Sequence, residues 1–225
     1  MNNSTKTFET DVFDVGGQSL KLTALGHSSL VWEWQGHIIH IDPWSAKADY
    51  AAQPKADFIF VTHEHVDHLD AGAIAQLKKA GTRLLINAAG REQLGDGEVL
   101  ANGDKKDFGG FSVEAVPAYN LGEDKAKFHP RHRGNGYVFR FGTFAVYVAG
   151  DTEDIPEMLA LRNIDVAFLP MNQPYTMTPE QVASAARSFR PRVLYPYHRG
   201  ETDPELVVAL LKNEPGIEVR VRSLA

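Results

Sequence analysis

Thr62-His63-Glu64-His65-Val66-Asp67-His68-Leu69-Asp70 follows directly on the apolar run Phe58-Ile59-Phe60-Val61. The apolar run reads as a buried strand. If the extended conformation continues beyond it, alternate side chains face the same way. His63, His65 and Asp67 then line one side, and His68 reaches the same point from the turn into a helix. Neutral imidazole and carboxylate are ligands for zinc, manganese and iron. A solvated, histidine-rich turn is the bland alternative, and so dense a set of donors argues against it.

Working outward, Ala71, Ile74 and Leu77 have helical spacing and predict a helix over 71–79, with Asp70 as N-cap and Gly81 as the stop. Upstream, strands are expected over 19–25, 29–34 and 37–42, with Gln35-Gly36 as a hairpin turn. Downstream, the pattern predicts strands at 83–87, 111–118, 137–141 and 144–149, the last two joined by Gly142-Thr143. Helices follow at 155–161, 179–189 and 204–212, with strands at 166–169, 193–195 and 218–221. Strands come first in each half and helices come late. Two mixed β-sheets with helices on their outer faces satisfy this pattern, an α/β sandwich of four layers. No close internal repeat is visible, and no linker divides the chain, so residues 1–225 are expected to form a single domain.

Composition narrows the function. With 225 residues, 43% of them hydrophobic, the chain can build a sizeable core. A net charge of −6 argues against a general nucleic-acid or membrane-surface partner, which needs a basic face. Zero cysteine excludes disulfides and thiolate metal sites. The first ten residues are polar, and no stretch approaches the ~18 apolar residues of a membrane span. A soluble cytoplasmic protein is expected.

Further donors stand at strand ends. Phe144 to Ala149 runs into Gly150-Asp151-Thr152, and Val193-Leu194-Tyr195 runs into Pro196-Tyr197-His198. Alone, Asp151 reads as a helix cap and His198 as a loop residue. Beside the histidine cluster, both read as ligands.

The ordered set Thr-His-x-His-x-Asp-His, Gly-Asp-Thr and Pro-x-His resembles the metallo-β-lactamase superfamily, most of all its ascorbate-6-phosphate-lactonase-like "Zn-dependent hydrolase" branch. Gly26-His27-Ser28-Ser29, Ile41-Asp42-Pro43, Val116-Pro117-Ala118 and the segment from Met171 to Met177 extend the resemblance over nearly the whole chain. It implies an αβ/βα sandwich with a dinuclear site at one edge. His63 and His65 would hold a first metal, Asp67, His68 and His198 a second, and Asp151 would bridge them. The ions would be two zinc, with manganese or iron as alternatives.

The chain departs from that pattern after Val116-Pro117-Ala118-Tyr119, where many relatives have His and this sequence has Asn120. An amide is a poor zinc ligand beside imidazole. His129 is the nearest replacement. His132, Asn120 itself, water, or a site filled by one ion remain open. His27 is expected to support the site from behind, and Asp42 to accept a hydrogen bond from a ligating histidine.

The implied reaction is hydrolysis of a small ester, lactone or phosphodiester by a hydroxide formed between two ions, with Asp67 as the catalytic carboxylate. Residues 119–135 form a long loop carrying Lys125, Lys127, Arg131, His132 and Arg133, which reads either as an anion-binding rim for a phosphate or carboxylate of the substrate or as a solvated basic loop. Tyr119, Asn120, Arg131 and Tyr175 are the expected substrate contacts. The competing readings are a metal-binding regulatory domain with an incomplete first site and a di-iron redox protein.

Overall fold

The structure, a computed structural model, describes residues 7–225, so the first six of the polar N-terminal residues lie outside it. Two seven-stranded sheets account for the strands. The first contains β1 (Glu9–Val15), β2 (Gln18–Gly26), β3 (Ser29–Trp34), β4 (His37–Ile41), β5 (Phe58–Val61), β6 (Arg83–Ile86) and β7 (Glu98–Val99), side by side in that order. The second contains β8 (Lys105–Asp107), β9 (Ser112–Ala118), β10 (Gly134–Phe141), β11 (Phe144–Val148), β12 (Val166–Pro170), β13 (Val193–Tyr197) and β14 (Glu218–Val219), again in chain order. In each sheet the first four strands pair antiparallel and the remaining pairings are parallel. The topology is therefore duplicated although the sequence shows no repeat. Sheet pairing demands an apolar pattern, and many different sequences supply one.

The helices are α1 (Ala71–Leu77), α2 (Ala88–Leu94), α3 (Glu123–Ala126), α4 (Pro156–Leu159), α5 (Pro179–Phe189) and α6 (Glu205–Leu211). The central core interleaves residues of both sheets, with Trp32 and Phe60 from one meeting Phe139, Phe141 and Phe168 from the other. One outer core joins Ala73, Ile74 and Leu77 of α1 to Ile59 and Val61. The other joins Val182, Ala186 and Val207 to Tyr147, Ala167 and Leu194. These three cores define the expected four layers, helix on sheet on sheet on helix.

Most predicted elements recur with shifted ends. Helix α5 begins and ends where the sequence places it, because Thr178 and Gln181 form a reciprocal capping box with Pro179 at the first position. The continuation of β5 does not recur. The strand stops at Val61, and residues 62–70 form turns, with His68 N and Leu69 N both bonded to His65 O. The histidines converge by turning, not by alternation along a strand. Strands β1, β7 and β8 and helices α2 and α3 were not expected from the pattern. No helix is long and apolar enough to cross a membrane among the described residues.

Candidate metal centre

The site lies beyond the ends of β5, β11 and β13, with the β2–β3 turn beside it. Asp42, just past β4, organises the histidine side. Its Oδ1 accepts from Thr62 N at 2.8 Å, and its Oδ2 accepts from Thr62 Oγ1 at 2.7 Å and from His68 Nδ1 at 2.8 Å. A proton on His68 Nδ1 leaves Nε2 bare, 3.4 Å from Asp151 Oδ1. Asp42 thus takes the supporting role expected of it.

Asp151 emerges from β11 through Gly150, whose φ is +66° and whose missing Cβ would stand 2.5 Å from Asn135 O. Only glycine fits that turn. The carboxylate is buried, with Oδ2 3.1 Å from His129 Nε2, 3.3 Å from His198 Nε2 and 3.9 Å from His63 Nε2. His63 Nε2 and His65 Nδ1 are 3.0 Å apart. Asp67 Oδ2 lies 3.0 Å from His27 Nε2, 3.4 Å from His198 Nε2 and 3.9 Å from His68 Nε2.

Two donor groups result: His63, His65, His129 and Asp151, and His27, Asp67, His68 and His198. Asp151 faces members of both. All seven residues expected as ligands are in these groups. His27 is the addition, its ring tilted against that of His198 with centroids 3.8 Å apart. It is carried there by a left-handed backbone, φ 57°, and its carbonyl accepts from the N–H of His198, itself at φ 42°. Such conformations cost energy in residues other than glycine and concentrate at functional sites. No periodicity in the sequence signals them.

His129 stands where the Asn120 substitution left a question. Its Nδ1 donates to Tyr175 O at 3.1 Å, turning Nε2 towards Asp151. Asn120 lies behind it, with Nδ2 2.7 Å from Tyr175 O and 3.1 Å from His129 Nδ1.

The donors suit a metal. Tetrahedral zinc with bonds of ~2.0–2.1 Å spaces its ligand atoms roughly 3.3 Å apart. The closest donor pairs here, at 3.0, 3.1, 3.3 and 3.4 Å, lie around that spacing. His68 Nε2, His129 Nε2, Asp151 Oδ1 and both ring nitrogens of His198 are buried without a hydrogen-bond partner. Orphaned polar atoms in such number are costly unless a cation receives them.

The buried imidazoles and carboxylates shift one another, and Asp151 and Asp42 outweigh burial to hold His68 well above its usual value. Burial and the neighbouring His68 hold His63 well below its usual pKa, which favours the neutral, ligating form. Burial raises the Asp67 carboxyl, but the His198 imidazole beside it and the hydrogen bond with His27 outweigh this and hold the group well below the carboxylate range. Asp151 is likewise held low against its burial by His198, His68 and His129.

A cavity of about 230 Å³ opens over the donors, lined by His65, Asp67, His129, Asp151 and His198 together with Phe128, Asn172 and Tyr175. Tyr175 is where the sequence suggested. Tyr119, Asn120 and Arg131 do not line the cavity. The Tyr119 hydroxyl donates to Glu157, Arg131 pairs with the same carboxylate and lies over the Tyr119 ring, and Asn120 is behind His129. Sequence reasoning missed Asn172 and Phe128, since a lone amide and a lone ring carry no distinguishing signal. The Asn172 side chain has no protein partner among the described residues. It rests on Gly200, where a Cβ would come within 2.6 Å of its Oδ1.

A sequence profile described as beta-lactamase superfamily domain matches residues 21–198, more than half of the chain. A UPF0173 metal-dependent hydrolase of Anaeromyxobacter sp. (strain K) is 31% identical over 234 residues, covering 89% of this chain and 83% of that protein. A crystal structure from Parabacteroides distasonis ATCC 8503, assigned as a metal-dependent hydrolase, is 48% identical with a TM-score of 0.95, covering 97% of this chain and 100% of the other. A metallo hydrolase from the hyperthermophilic archaeon Ignicoccus hospitalis KIN4/I is 28% identical with a TM-score of 0.76, covering 92% of this chain and 96% of its own.

Proposed function

The chain belongs to the beta-lactamase superfamily and, within it, to the metal-dependent hydrolases, and from that premise we infer that it uses two divalent ions to hydrolyse a small ester, lactone or phosphodiester. The observation that carries this reading is Asp151, a buried carboxylate facing imidazoles of both donor groups across 3.1–3.4 Å. His63, His65 and His129 would hold one ion, and Asp67, His68 and His198 the other, with Asp151 between and His27 against Asp67. Zinc suits the imidazole-rich set, and manganese and iron share its ligands. Divalent ions bound there supply Lewis acidity, bringing the pKa of water towards neutrality and drawing charge from a carbonyl or phosphoryl oxygen.

The side chains do the rest. His27 and His198 converge on Oδ2 of Asp67, so its Oδ1 is free to orient the attacking water and receive its proton. Asn172 offers an amide to a substrate oxygen. Phe128 and Tyr175, with ring centroids 4.9 Å apart, form an apolar wall that limits water around the reacting bond. A cavity of about 230 Å³ accommodates a small molecule, not a polymer. The net charge of −6 and absent cysteine favour a cytoplasmic enzyme without nucleic-acid partners.

A screen of lactones, carboxylic esters, phosphodiesters and phosphomonoesters tests the reading. Turnover should vanish on chelation, return with zinc or manganese, and fall at least about a hundredfold in Asp67→Ala. Absence of turnover in every metal-loaded form would overturn it.

A further inference from the structure

The chain between β9 and β10 carries a group of cations, and the fold pairs most of them internally. Lys125 Nζ donates to Thr176 O at 2.9 Å and pairs with Glu153 at 3.0 Å. Arg131 pairs with Glu157, and Arg133 with the buried carboxylate of Glu64. Lys127 differs. It is exposed, meets no carboxylate among the described residues, and stands 5.0 Å from the centroid of the Phe128 ring.

Phe128 divides two spaces. With His65 it lines the catalytic cavity, and with His65 again it lines a neighbouring groove of about 380 Å³. Val66, 73% exposed, and Pro130 give that groove an apolar surface. Gln93 is neutral, and Glu64 and Arg133 cancel, so Lys127 supplies the one unbalanced charge. A cation beside an aromatic face and an apolar strip suits a ligand with a short apolar linker and an anionic end.

We propose that this groove is a second subsite of the hydrolase, in which Lys127 receives the anionic end of an elongated substrate whose scissile bond lies over the donor groups. The inference rests on the hydrolytic reading above and narrows it. The substrate is an ester, lactone or phosphodiester bearing a carboxylate or phosphate a few bonds from the reacting centre, with its linker crossing Phe128.

Binding can be read without turnover. The metal-loaded protein is titrated calorimetrically with α,ω-dicarboxylates from glutarate to azelate, with ω-phosphonocarboxylates, and with monocarboxylates of matching length. At one chain length the doubly anionic ligand should bind about two- to fivefold more tightly than its monoanionic match, the scale of an exposed ion pair. Lys127→Ala should abolish that preference, Lys127→Arg preserve it and Lys127→Glu reverse it, with metal content unchanged by elemental analysis. The end group giving the larger preference, carboxylate or phosphonate, identifies the anion. No preference in the wild type at any length, or an equal preference in Lys127→Ala, would overturn the subsite. Failure of the hydrolytic reading shows separately, as absence of turnover in the substrate screen with the chain-length preference intact.

Discussion

Asp42 shows how much of the site is decided one residue behind the ligands. It is fully buried, and its two oxygens take three hydrogen bonds from Thr62 and His68. Asp42→Ala frees His68 to rotate and to choose its tautomer, so metal affinity should fall about 10- to 100-fold. Competition with a chromogenic chelator measures this; an unchanged affinity would remove Asp42 from the site's support. His40, two residues earlier on β4, gives a pH signature. Burial pushes it down to about 4, against the opposing hydrogen bond to Pro54 O. The unfolded chain takes up that proton near 6.5 and the folded protein only near 4, so between these values the unfolded state binds more protons. The stabilisation is complete above 6.5 and is lost as pH falls towards 4, on the order of 3 kcal/mol. Urea unfolding of metal-free protein should therefore lose stability over this window, and His40→Gln should lose about that much less. Parallel slopes in the two proteins would contradict it. At this scale the sequence was informative wherever chemistry is rare. Imidazoles and carboxylates at strand ends stood out, so seven ligand candidates were legible. His27 was not, because its approach depends on a left-handed turn. The basic loop was legible as charge, but only packing reveals that Glu153, Glu157 and Glu64 neutralise Lys125, Arg131 and Arg133 and leave Lys127.

Elements were legible in proportion to their local signals. Helix α5 carries Thr178-Pro179 and Gln181, a start written into three positions. Edge strand β1 has one face in solvent, and β7, β8 and α3 are two to four residues long, too short for any period. The segment between β9 and β10 is held by an element distant in sequence. Glu153 accepts from Leu121 N at 2.8 Å and Gly122 N at 3.2 Å and pairs with Lys125. These bonds fix the start of the loop that presents Phe128 and His129. Glu153→Ala should quicken hydrogen exchange at Leu121 and Gly122 at least about tenfold, since exchange tracks local opening. It should also weaken metal binding through His129 while leaving α5 protected. Unchanged exchange would mean that the loop is held by other contacts.

Across the molecule, the ligands come from both sheets. His27, His63, His65, Asp67 and His68 follow strands of the first, and His129, Asp151 and His198 flank strands of the second. Ions bound among them join the two halves of the duplicated topology. At metal concentrations about a thousandfold above Kd, binding adds about 4 kcal/mol of stability. For a chain of this size, that corresponds to a rise in Tm on the order of 10 °C. Scanning calorimetry before and after chelation should show it, and coincident transitions would mean that no ion contributes to the folded state. The sandwich was legible from apolar runs interrupted by turns, whereas the duplication was not, because equivalent strands share a burial pattern and few residues.

The most direct test is the metal content of purified protein after equilibrium dialysis, read by elemental analysis. Wild-type protein should hold two equivalents of a divalent ion, His129→Ala about one, and Asp151→Ala one or none. Wild-type protein that is folded yet holds no stoichiometric metal would contradict this reading.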